Sequence, residues 1–242
     1  KKFDSVDKSN DKTLEILKKY SSRNSKIEII SKNHRYGSSF LNFINLLKVK
    51  KIKEYDYVAL SDQDDIWRKN KFKLAINQLN KNYDCYSSDV LAFWINGKKK
   101  IIKKSHKQKS FDYFFEAGGP GCTYVMKKNF KIDFKKFLKI NNAKIINLNN
   151  FHDWLIYFFA RTNNYNWYFD KNISLDYRQH KSNEIGANKG FKAKLNRLEK
   201  VLNGDAFKHI EKLILLHKLE KHKFVKKWYP FSPKGFLFLI FN

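Results

Sequence analysis

The strongest constraint on this chain is the alternation of two hydrophobic periods along its first eighty residues. "KIEIIS" (26–31) and "YDYVALS" (55–61) read as strands, whereas "SNDKTLEILKKY" (9–20), "GSSFLNFINLLKV" (37–49) and "KNKFKLAINQLNK" (69–81) place apolar residues at helical spacing. Short links join them, which predicts an α/β sheet of mainly parallel strands with helices on both faces. Ser9 or Asn10 is expected to cap the first helix, with Leu14, Ile16 and Leu17 as its apolar face. Ser38 is expected to cap the second, with Phe40, Leu41, Ile44 and Leu47 on the core stripe.

The later pattern is less regular. "YSSDVLAFWI" and "KKKIIKKS" read as strands paired antiparallel across Asn96 and Gly97, and "GGPGCTYVMKK" as a glycine-rich turn leading into a strand. "FHDWLIYFFA" is a short apolar helix, and "NWYFD" and "NISLDYRQH" are further strands. From Phe191 onward the segments are amphipathic and basic, so residues 1–190 are expected to form one domain and 191–242 a basic helical tail.

The 242 residues carry 50 Lys and Arg against 23 Asp and Glu, a formal net charge of +27. A polyanionic partner, nucleic acid or an anionic membrane, is one reading of that excess. Only six of the fifty are Arg, the residue suited to bidentate contacts with phosphate and guanine. Lys, Asn, Ile, Phe and Tyr together are the set encoded by A/T-rich codons, so composition of the genome accounts for much of the lysine and no nucleic-acid partner is expected. Cys85 and Cys122 show no metal or disulfide spacing, which points to a reducing, cytoplasmic setting. No run of 18 apolar residues is present, so no spanning helix is expected.

Against this basic background, "YVALSDQDDIW" puts Asp62, Asp64 and Asp65 within four residues, directly after a strand. Ligands of open α/β sheets bind at the carboxyl ends of strands, where a divalent cation would relieve the repulsion and a substrate diphosphate would complete its shell. The competing reading is structural: Asp62 starts a turn, and Asp64 or Asp65 caps a helix beginning near Trp67.

"ALSDQDDIW" followed by a Lys-rich helix resembles the acidic motif of family 2 glycosyltransferases with the GT-A fold, in the rhamnosyltransferase-like branch. "DKSNDKTLEIL", "NHRYGSSFLNFI", "GCTYVMKK", "FHDWLIYFFA" and "LDYRQHKSNEIGA" resemble further motifs of that family in the same order, from Asp7 to Ala187. The resemblance implies a Rossmann-like α/β mixed sheet and an inverting transfer from a nucleoside-diphosphate sugar. It places Asp7, Asp62, Asp65 and Arg178 at the donor, and Asp64 with His180 on Mg2+ or Mn2+. Asp153 is implied as the general base, and Gly119, Gly121, Cys122, His152 and Trp154 as the acceptor side.

The family begins with a strand and helix ahead of its D-D-G-S motif; this sequence starts a few residues before that motif, with Val6 and Lys8 at two of its positions. A degenerate, non-catalytic relative is therefore an alternative, as is a basic nucleic-acid-binding protein. The implied acceptor is a cell-surface polysaccharide, lipopolysaccharide or lipid-linked glycan. "LEKHKFVKKWYPFSPKGFLFLIFN" would suit contact with the anionic inner face of the plasma membrane, or would pack as a last core element.

Overall fold

In the computed structural model the described residues are 2–6, 11–31, 35–49, 54–148, 152–180 and 205–219. Strands β3 (Tyr57–Ala59), β8 (Val125–Lys127), β5 (Cys85–Ser88) and β9 (Trp167–Asp170) form one sheet in the order β3-β8-β5-β9. β8 runs antiparallel to both its neighbours and β5 pairs parallel with β9, so the sheet is mixed.

The two-residue alternation of a strand sorts adjacent side chains into different cores. Cys85 and Met126 enter the large core beneath α2 (Ser39–Leu47), α4 (Lys128–Ile140) and α6 (His152–Thr162). Tyr86 and Val125 enter the smaller core beneath α3 (Lys71–Leu79). Helices thus cover both faces, as the period pattern predicts. The large core is strongly aromatic: Phe130 lies edge-on to Phe159 and Tyr165, and Phe114 edge-on to Phe158, the arrangement ring quadrupoles favour.

A second sheet has the order β4-β10-β6-β7, from β4 (Ile66–Trp67), β10 (Leu175–Gln179), β6 (Val90–Trp94) and β7 (Lys99–Ile102). β6 and β7 are the antiparallel pair expected across Asn96 and Gly97, with Gly97 at φ +80°. One face of this sheet supplies Val90, Leu175, Trp67, Ile102 and Tyr177 to a third cluster that also contains Cys122.

β1 (Lys2–Val6) pairs parallel with β2 (Ile27–Ser31) as a separate two-stranded unit, bound to α2 through the Asn42 amide donating to the Ser5 carbonyl at 3.2 Å. β1 was not expected, because its "KFDSV" alternation is too short to stand out from the basic sequence around it. Helix α1 (Thr13–Arg23) also departs from expectation. It has no buried residue; Leu14 and Leu17 are half-buried and Ile16 is exposed. Its start is served by Asp11, whose Oδ1 accepts the Thr13 N–H at 2.9 Å, while Ser9 and Asn10 lie outside the described residues. Ser38 caps α2 as expected, accepting the Leu41 N–H at 3.2 Å.

α5 (Asn142–Ile146) follows α4, and α7 (Asp205–His217) packs on α6, sending Ile210, Leu213, Ile214 and Leu216 into the large core. The rest of residues 191–242, including the segment expected at a membrane, lies outside the described residues.

Candidate active site

The acidic turn ends β3 and is held from outside by β10. Asp65 Oδ1 accepts the Arg178 backbone N–H at 3.0 Å, and Arg178 Nε donates to the Asp64 carbonyl at 2.9 Å. Asp64 Oδ2 and His180 Nε2 are 2.8 Å apart. The capping alternative does not match this arrangement: β4 follows the turn, α3 starts only at Lys71, and its first turn receives no side-chain cap. The carboxylates instead gather residues from a strand more than a hundred positions away. Asp62, Asp64, Asp65, Arg178 and His180 therefore share one neighbourhood, while Asp7 lies outside the described residues.

Burial differentiates the three acids. Asp65 Oδ2 is buried without a hydrogen-bond partner among the described residues, and the Cys122 thiol lies beside the carboxyl. Loss of hydration raises the Asp65 pKa, opposed by the Cys122 and Arg178 hydrogen bonds. Ligand atoms of Asp62, Asp65 and Cys122 all fall within 4.8 Å of one another. Burial also pushes the Cys122 thiol well up, so it is neither a nucleophile nor a fitting ligand for a hard cation.

Lys71, which sequence reading passed over, is the buried cation of this cluster. Its Nζ donates to the Cys122 carbonyl at 2.8 Å and sits 4.6 Å above the Trp67 ring. Burial lowers its pKa to about 8, with Cys122, Asp65 and Asp62 acting in the opposite direction. In "RKNKFK" four basic residues occupy six positions, and nothing local shows that the third of them turns inward. A second residue that went unnoticed is Asp89: its carboxylate accepts the backbone N–H groups of Lys104 and Ser105 at 2.6 and 2.7 Å, fixing the segment that follows β7.

The glycine-rich loop joins this cluster to the start of α6. A Cβ on Gly121 would lie 2.6 Å from His152 Nε2 and 3.1 Å from Asp153 Cβ, so only glycine allows the loop this close. Gly119 adopts φ +103°, and its carbonyl accepts the Tyr124 hydroxyl at 3.1 Å. Cys122 thus stands between the acidic turn and Gly121, one residue from the Asp153 contact.

Asp153 lies in the first turn of α6, with Oδ1 accepting the Trp154 N–H at 2.8 Å. Burial raises its pKa to about 6, against the pull of that backbone bond and of Lys104. His152 stacks on Phe43 at 4.2 Å, and its Nε2 has no partner among the described residues. Burial lowers its pKa to about 4, which leaves the ring neutral at pH 7. Trp154 Nε1 donates to the Tyr113 carbonyl at 2.8 Å, and its ring meets His209 of α7 edge-on at 4.3 Å.

A carboxyl raised toward neutrality, an acidic turn at a strand end and a mixed sheet covered on both faces fit the glycosyltransferase that the sequence motifs lead one to expect. The pattern of "Glycosyl transferase family 2" matches residues 6–197, and the chain belongs to that family. It is 46% identical over 213 residues to "dTDP-rhamnosyl transferase RfbG" of Shigella flexneri, covering 87% of this chain and 73% of that protein. In fold it is similar to the crystal structure of S. aureus TarS 1-349, with TM-score 0.52 and 18% identity, over 73% of this chain and 50% of that one. The same protein in complex with UDP gives TM-score 0.52 at 17% identity, over 90% of this chain and 55% of that one. The chain thus spans about half the length of these structural neighbours.

Proposed function

We propose that the chain transfers a deoxyhexose of the rhamnose type from a dTDP-linked donor to a hydroxyl of a growing cell-surface or lipid-linked glycan, with inversion, on the cytoplasmic side. The observation that supports this reading best is Asp153, raised to about 6 and held against the loop that also borders Asp62 and Asp65. Its carboxylate takes the proton of the acceptor hydroxyl as that oxygen attacks the anomeric carbon. The bond from that carbon to the diphosphate oxygen breaks with its electron pair, releasing dTDP.

The donor set fits a divalent cation. Asp64 and His180, joined by a hydrogen bond of 2.8 Å between Oδ2 and Nε2, bring an oxygen and a nitrogen donor together beside the acidic turn and would hold the ion. A bound cation would neutralise charge on the departing diphosphate. Asp62 and Asp65 would flank the nucleotide sugar, and Arg178 would meet phosphate oxygens. The relative named for dTDP-rhamnosyl transfer supports the choice of donor.

The test is a thermal-shift titration with dTDP, UDP and GDP, with and without Mn2+, on the natural chain and on Asp64→Asn. At a hundredfold excess over Kd, ligand binding adds about 2.7 kcal/mol, or roughly 5–10 °C for a domain of this size. A Mn2+-dependent shift selective for dTDP and lost in Asp64→Asn is expected. No shift with any nucleotide, or one indifferent to metal and to Asp64, refutes the assignment.

A further inference from the structure

Between Asp89 and Asp112 the chain has seven lysines and no carboxylate. The β6–β7 hairpin and the segment after it carry them: Lys98, Lys99, Lys100, Lys103, Lys104, Lys107 and Lys109 are all exposed. At its tip Ile95 is fully exposed (105%), the most exposed large hydrophobic side chain among the described residues.

The strand register shows what surrounds that tip. Leu91 and Phe93 share a face with Ile101 and Lys99 of β7 and with Asp176 and Arg178 of β10. Across β10 the same face continues to Ile66 of β4. Ile101 and Ile66 are each 49% exposed, so this face is open and mixes aliphatic with basic groups. Arg178 lies over Phe93 at 4.8 Å, and Gln179, the residue before His180, is the register partner of Trp94. The tip therefore flanks the strand end that supports the acidic turn.

We propose that the β6–β7 hairpin is a membrane-docking element that seats Ile95 among the headgroups of an anionic bilayer, with Lys98, Lys99 and Lys100 on the lipid phosphates. An exposed aliphatic patch ringed by lysine matches an interfacial surface, in which apolar burial and attraction to anionic lipid add. A single-stranded nucleic acid would instead require free ring faces for base stacking, and the two half-buried rings beside Ile95 are already engaged, Phe93 by Arg178 at 4.8 Å and Trp94 by Lys98 at 5.7 Å. Docked in this way, the hairpin holds the mouth of the active site at the lipid surface. The benefit for a lipid-linked acceptor rests on the function proposed above; the vesicle contact itself does not.

The test is sedimentation of the full chain with phosphatidylcholine vesicles, with and without phosphatidylglycerol. Variants are Ile95→Ser and the pair Lys99→Ser with Lys100→Ser, none of which removes a core contact. Each lysine near an anionic surface contributes about 1 kcal/mol, about a fivefold change in partitioning, so the double variant is expected to bind phosphatidylglycerol vesicles about 25-fold more weakly. Ile95→Ser is expected to lower binding severalfold even where salt has reduced the electrostatic part. Both variants are expected to retain the natural melting temperature and nucleotide shift, which separates failure of docking from failure of the donor site. Equal binding by all variants, no preference for phosphatidylglycerol, or variants that lose only a single-stranded oligonucleotide while keeping vesicles overturns the proposal.

Discussion

Replacing Asp153 by Asn should remove transfer and stabilise the protein at the same time. The Asp153 carboxyl is partly covered by Gly121 and the surrounding core, and its pKa rises from the ordinary 3.8 to about 6. The folded state therefore disfavours the charged form. Well below pH 4 the group is neutral in folded and unfolded chains alike, and no penalty exists; as pH rises through 4 the unfolded chain ionises first, and the penalty reaches its full value only above about 6. Two pKa units correspond to about 3 kcal/mol at neutral pH, which solvent reaching the partly exposed side chain reduces to about 1–2 kcal/mol. Asn keeps the oxygen that accepts the Trp154 N–H and has nothing to ionise. At pH 7.5 the variant should melt roughly 2–8 °C higher than the natural chain, and the gap should shrink to a small fraction of that by pH 4. Natural transfer should rise with pH through about 6 as the base ionises, whereas Asn should lose at least two orders of magnitude in kcat. Melting curves from pH 4 to 8, with a donor-to-acceptor assay on the same samples, check both halves. A variant no more stable at pH 7.5 than at pH 4, relative to the natural chain, refutes the burial argument; one that still transfers refutes the role of Asp153.

Gly121→Ala drives a methyl into His152 Nε2 at 2.6 Å, so overpacking should cost about 1–3 kcal/mol in chemical denaturation and lower kcat through displacement of Asp153. Lys71→Met keeps most of the side-chain volume but removes the donor to the Cys122 carbonyl and the buried positive charge beside Asp62 and Asp65; a loss of about 2–4 kcal/mol is expected, with a weaker nucleotide-induced shift. His180→Ala should raise the Mn2+ concentration needed for half-maximal transfer by about 10–100-fold while leaving the metal-free melting temperature nearly unchanged, because the pair with Asp64 is partly solvent-exposed. Asp112→Ala breaks a largely buried ion pair at 2.8 Å to Arg161 and removes the acceptor of the Tyr157 hydroxyl, which keeps only the bond it receives from Arg161, for an expected cost of about 3–5 kcal/mol by urea denaturation.

Periodicity and short-range chemistry are properties of adjacent residues, so the sequence alone determined the alternation of strand and helix, the Ser38 cap, the hairpin at Asn96 and Gly97, and the placement of Asp62, Asp64 and Asp65 at a strand end. The resemblance of "FHDWLIYFFA" to a family motif also singled out Asp153. Tertiary structure alone decided that these carboxylates bind β10 rather than capping α3, that Lys71 out of a run of basic residues turns inward, and that Gly121 touches His152 and Asp153. The physical reason is that burial and charge pairing depend on segments distant in sequence: Arg178 lies 113 positions from Asp65, and Cys122 lies 51 from Lys71. A lysine looks the same in sequence whether water or a carbonyl solvates its ammonium. Only the closing of the fold determines which.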